Sequence, residues 1–201
     1  MKPIFTFLVV LCLFRCTPER LSKEELEAFV TDESNGLRKS TTVGNIQVDA
    51  TIRPTDLWIA QQIGQRVVPH KQIDSLRKKY DQYVYLVLGL SNQGKEALHQ
   101  ADGAQYGDLL QTLSFRMNEY ATLTTSQSDT IPVGDFVLNR TYGLAKDTEL
   151  LFVFNRNKTK DCDWIQFNLN EFGLGIGNLR FRFDRKKLEN VPTMNFQVGG
   201  Q

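Results

Sequence analysis

The chain has 201 residues, 41% of them hydrophobic and 23% charged, with a formal net charge of +1. That composition supports one folded domain with a buried core and excludes intrinsic disorder. The near-neutral charge excludes the basic footprint of a nucleic-acid binder.

Read in chain order, Lys2 gives a short positive region and Ile4 to Phe14 an apolar run of eleven residues. That is the signal-peptide range and well short of the ~20 residues that span a bilayer. The run ends in "LFRCTPER", residues 13–20. Leu13 and Cys16 resemble the lipobox of bacterial lipoproteins, in which a Leu stands three residues before the cysteine that becomes lipidated. Phe14 and Arg15 depart from it, Arg15 most, since Gly or Ala normally precedes the cut. The expected organisation is a signal peptide at 1–15, lipidation at Cys16, a tether at 16–21 and a single globular domain at 22–201. Ordinary secretion is the alternative. Cys12 is a poorer candidate, being preceded by Val9, Val10 and Leu11. Cutting before Cys16 leaves Cys16 and Cys162, so a lipidated Cys16 leaves Cys162 a free thiol, and an unmodified one permits a disulfide.

Ser22 and Glu25 form a capping box, with Leu21 and Leu26 as its hydrophobic staple, so a helix starts here and stops before Asn35-Gly36. Residues 45–54 alternate Ile46, Val48, Ala50 and Ile52 with polar partners, which predicts a strand ended by Pro54. Helices are expected over 55–64, capped by Thr55, and over 68–81, where Ile73, Leu76 and Tyr80 share a side. A strand follows at 82–92, rich in β-branched and aromatic residues. Over 96–125 the first half is helical or irregular, and the alternation of Leu113, Phe115 and Met117 favours a strand. Leu110, Leu113 and Met117 also sit at helical spacing. Strands at 135–143, 148–156, 163–170 and 178–184, separated by turn residues, complete the chain. The fold class is therefore α+β: mainly an antiparallel β-sandwich, immunoglobulin-like arrangements included, with two or three short helices in the N-terminal half.

Catalytic signals are sparse. His70 and His99 have no metal-ligand spacing, and Cys162 stands between Asp161 and Asp163, which raise a thiol's pKa. "GLGIG" (173–177) lacks the G-x-G-x-x-G spacing and precedes a strand, which makes it a bend. Asn157, Asp161 and Asp163 lack the spacing of a calcium loop. No catalytic residue, metal site or cofactor is assigned. Trp58 and Trp164 are the ligand-binding candidates, because exposed indoles stack on sugar rings. "RFRFDRKK" (180–187) is the most basic stretch; it reads as a strand with one wet face, the alternative being contact with an anionic partner such as lipid headgroups.

The stretches "ESNGLRKSTTVGNIQVDATIRPTDLWIAQQ" and "SDTIPVGDFVLNRTYGLAKDTELLFVFNR" resemble small Bacteroidetes lipoproteins of unknown function, in which such a turn precedes a strand. The resemblance implies an envelope location and a lipid anchor, outer membrane included, and transfers no catalytic residues. The expected function is a non-catalytic, lipid-anchored envelope module that binds a protein partner; the alternative is a small-ligand or glycan binder.

Overall fold

The computed structural model describes residues 20–197. The signal peptide at 1–15 and Cys16 lie outside them. In chain order the elements begin with β1 (Arg20–Leu21), α1 (Lys23–Thr31), β2 (Arg38–Val43), β3 (Ile46–Arg53), α2 (Thr55–Ile63) and α3 (His70–Tyr80). Next come β4 (Tyr83–Asn92), β5 (Lys95–Glu96), α4 (Gly103–Phe115), α5 (Met117–Tyr120), β6 (Ala121–Thr125) and β7 (Thr130–Pro132). The last are β8 (Asp135–Asn139), β9 (Thr148–Asn155), β10 (Trp164–Leu169), β11 (Leu179–Asp184), α6 (Arg185–Glu189) and β12 (Thr193–Met194).

The fold is α+β with several antiparallel sheets. One sheet runs β2-β3-β4-β9-β8, with β5 folded back on β4, and a second runs β11-β10-β6-β7. A third joins the ends of the described chain, β1 lying parallel to β12. Arg20 and Leu21, expected in the tether, are thus already paired to the body. Alternation explains the strands: β3 buries Val48, Ala50 and Ile52, and β9 buries Thr148, Leu150, Phe152 and Phe154. Apolar residues from both large sheets share one cluster. Phe152 of β9 lies 5.5 Å from Phe167 of β10, centroid to centroid. β4 is buried on both faces because the helical layer covers its other side, where Trp58 of α2 stacks on Tyr85 at 5.5 Å.

A second, smaller cluster gathers α1, α2, α3 and the C-terminal segment around Leu26, Leu37, Ile59, Ile73, Met194 and Phe196. The capping box that starts α1 is present in both directions, Glu25 N–H donating to Ser22 Oγ and Ser22 N–H to the Glu25 carboxylate. α1 ends at Thr31, and a short 3₁₀ turn closes on Gly36 at φ 81°, the left-handed conformation glycine adopts without a Cβ penalty.

Two expectations are corrected. Six α-helices occur among the described residues rather than two or three, and α6 lies in the C-terminal third. The alternation at Leu113, Phe115 and Met117 is not a strand: α4 runs through Phe115, which is 77% exposed. Leu109, Thr112 and Leu113 face the core at helical spacing, and Met117 is sealed beneath the next turn. Burying that stripe, together with Met117, outweighs the local two-residue period. The strand begins only at Ala121.

Candidate functional site

The end of β3, the start of α2, the end of α3, the turn after β9 and α6 converge on one cleft of about 440 Å³. Its apolar wall comes from both clusters: Ile52, Val84 and Ile165 belong to the larger and Leu37 to the smaller. Leu188 packs against both. The cleft therefore lies at the seam between the two cores.

Its polar side is built locally. Pro54 ends β3, since it has no N–H for the ladder, and its φ of −60° suits the entry to α2. Proline offers no side-chain oxygen as a cap, so the first-turn amides of α2 have no side-chain partner. Asp56, in that turn, is 8% exposed. It accepts Nε and Nη2 of Arg77, both at 2.7 Å, and the backbone N–H of Met194 at 2.8 Å. The hydrogen bonds it donates to Asp56 hold the Arg77 guanidinium above its ordinary pKa, against the opposing effect of burial. Arg77 also lies over the Phe196 ring at 5.4 Å. Asp56 thus ties α2, α3 and β12 together.

Three more guanidinium groups line the cleft: Arg53 at the end of β3, Arg156 in the turn after β9, and Arg185 at the start of α6. Arg185 pairs with Glu189 at 2.7 Å through Nη2, and its Nη1 is buried without a partner. Arg53 Nε is likewise buried and unpartnered. Burial pushes the Arg156 pKa down; Asp81 opposes that and Arg185 adds to it. The Thr55 hydroxyl is buried and makes no hydrogen bond. The cleft contains no cysteine or histidine and pairs no nucleophile with a free base. Chemically it can hold a ligand with an anionic part and an apolar part.

The sequence-level candidates fall elsewhere. Trp58 stacks on Tyr85 and Trp164 lies under Arg182, whose guanidinium carbon is 4.0 Å from the ring centroid; neither lines the cleft. Cys162 is buried, and desolvation, with Asp163 and Asp161 nearby, pushes its thiol pKa up. His70 is exposed, and His99 sits 3.6 Å from the buried Glu96. No cluster of metal-ligating side chains occurs among the described residues. "GLGIG" is a bend whose amides are already occupied: Gly173, Gly175 and Gly177 donate to the Glu171 carboxylate at 2.7, 2.8 and 2.5 Å. Burial alone would raise the Glu171 pKa, and these amide bonds reverse that and hold it below the usual carboxylate range. Of the cleft residues only Arg185 falls in a stretch whose sequence suggests contact with a partner, the basic run at 180–187.

No described helix is long and apolar enough to cross a membrane. No family model matches the chain, and no curated protein matches it. It is similar to a solved structure from Burkholderia pseudomallei, described as a novel protein of unknown function. The match covers 86% of this chain and 94% of that one, at 9% identity and a TM-score of 0.39. So weak a likeness fixes neither fold nor function for this chain.

Proposed function

We propose that this protein is a non-catalytic binding module of the bacterial cell envelope, anchored through lipidated Cys16, whose small ligand occupies the cleft between the two cores. The observation that carries the binding reading is the cleft itself: about 440 Å³, with an apolar wall and polar groups left without partners. Ligand sites combine these properties. The ligand site is this cleft rather than the faces of Trp58 and Trp164, which lie outside it. We also propose that the two large sheets pack face to face as a sandwich, which the Phe152–Phe167 contact supports.

Amide chemical shifts recorded during a fragment titration test the site. Shifts concentrated at Arg53, Thr55, Arg156 and Arg185, and abolished by Val191→Trp, support it; shifts scattered over the surface defeat it. The anchor is tested by intact mass of membrane-extracted protein with thiol labelling. A diacyl or triacyl adduct on Cys16 with one labelled Cys162 supports it, and an unmodified secreted form refutes it.

A protein-docking role has its own observation. β8 is an edge strand, and Val137 on it is 56% exposed, followed by Tyr142 at 66% and Leu144 at 91%. An edge with exposed apolar side chains suits strand addition by a partner. Crosslinking from position 137 in the native envelope tests that role.

A further inference from the structure

We infer that the ligand of this cleft carries a phosphate monoester group, held by Arg53, Arg156 and Arg185 together with Thr55 at the start of α2. The inference rests on the cleft being the binding site proposed above.

Charge is the first argument. Four guanidinium groups and three carboxylates line the cleft. Two of the carboxylates are engaged, Asp56 by Arg77 and Met194, and Glu189 by Arg185. Asp81 is the third, and among the described residues no carboxylate stands within ion-pair distance of Arg53 or Arg156. Partly buried guanidinium groups normally carry such a partner, because removing the charge from water is costly. The deficit therefore matches an anion brought by the ligand.

Unpartnered atoms are the second argument. Among the described residues four buried side-chain nitrogen or oxygen atoms have no hydrogen bond. Three of them belong to residues of this one cleft: Arg53 Nε, Arg185 Nη1 and Thr55 Oγ1. Buried polar groups in a folded protein are almost always paired, so a cluster of exceptions marks a place where a partner binds. Two are guanidinium donors, whose fork matches oxyanions bidentately. The third is a hydroxyl beside the first-turn amides of α2, a nine-residue helix with no side-chain cap.

The number and type of donors choose the group. Three guanidinium groups, a hydroxyl and a helix N-terminus offer more donors and more positive charge than a single carboxylate can use. A phosphate monoester has three terminal oxygens and up to two negative charges. The cleft is also larger than a bare oxyanion needs, and the apolar wall of Ile52, Val84 and Ile165 provides a surface for an organic body. A soluble phosphoester and a lipid headgroup share this chemistry.

Calorimetric titration of the detergent-solubilised mature protein tests the inference, with glycerol 3-phosphate as probe and glycerol and acetate as controls. Saturable binding of glycerol 3-phosphate is expected, about tenfold tighter than acetate, weakened by salt, and absent for glycerol. Arg156→Met and Thr55→Val should each weaken it, the first by about tenfold, as expected for one charge-assisted hydrogen bond. Arg182→Met, outside the cleft, should bind as wild type. Vesicles of phosphatidylcholine with phosphatidic acid form the second arm. Vesicle binding lost in Arg156→Met, with no response to glycerol 3-phosphate, assigns the group to a lipid headgroup. Equal binding of acetate, or wild-type binding of both probes by Arg156→Met, overturns the inference. If neutral fragments shift the cleft amides while neither phosphate probe binds, the phosphate inference falls and the binding site stands. If nothing shifts those amides, both fall.

Discussion

Asp56 is one carboxylate shared by three elements, and its surroundings make the cost of losing it calculable. Asp56→Ala leaves the Arg77 guanidinium and the Met194 N–H, both beside apolar groups, without their acceptor. Breaking a buried ion pair by removing one partner costs roughly 3–5 kcal/mol. Urea denaturation should therefore show Asp56→Ala destabilised by about that much, and Asp56→Asn by less, because the amide oxygen still accepts. A loss under about 1 kcal/mol for the alanine variant, the range of exposed pairs, contradicts this account. Glu171 gives the pH counterpart. Its folded pKa lies below the unfolded value because backbone amides bind the charged form, despite burial. The stabilisation is then complete above the unfolded pKa, near 4.3, and is lost as the pH falls through the folded value. Glu171→Gln should lower stability at neutral pH by roughly 1 kcal/mol, allowing for solvent screening, and flatten the stability profile below about pH 5. Parallel acid profiles of the two proteins would show that the carboxylate does not hold the bend.

Elements were legible where a local rule and tertiary packing agree. The Ser22–Glu25 box starts α1 as its residues require, and the alternation of Val48, Ala50 and Ile52 reappears as the buried face of β3. They were misread where two periods compete. Leu113, Phe115 and Met117 fit a strand locally, and only the position of the sheet core decides that Leu109 and Leu113 face it from a helix, with Phe115 turned to solvent. The cleft was illegible for a different reason. Arg53, Thr55, Arg156 and Arg185 lie in segments more than a hundred residues apart at the extremes, and no spacing rule connects them. The sheet-to-sheet contact is itself testable as a coupling between elements. Phe152→Leu and Phe167→Leu remove facing rings from β9 and β10, whose centroids are 5.5 Å apart. A double-mutant cycle should give a coupling of about 0.5–1.5 kcal/mol, the range of aromatic pairs. Additive losses would mean that the two sheets do not share this contact in solution.

At the scale of the molecule, two cores of unequal size meet at the cleft. The larger is built from long strands: β3, β4 and β9 each bury at least three side chains in it. The smaller rests on short helices and on a C-terminal segment held by Asp56 and by two-residue pairing to β1. α3 buries only Ile73 of its eleven residues. Free energies of local opening follow buried contact, so the two parts should not open together. Native-state hydrogen exchange should find β4 and β9 amides exchanging near the global unfolding free energy. Amides of α3 and of Met194 should exchange through cheaper openings, several kcal/mol below it. A ligand in the cleft touches both sides of the seam, and it stabilises any state in which the seam is closed. Glycerol 3-phosphate at about a hundred times its Kd should raise the opening free energy of α3 and Met194 by up to about 2.7 kcal/mol. Opening of α3 breaks the Arg77–Asp56 pair at the cleft wall, so these amides report directly on whether the seam is bridged. Equal protection in both cores without ligand would show that they unfold as one unit. A rise confined to the strands would show that the probe binds elsewhere.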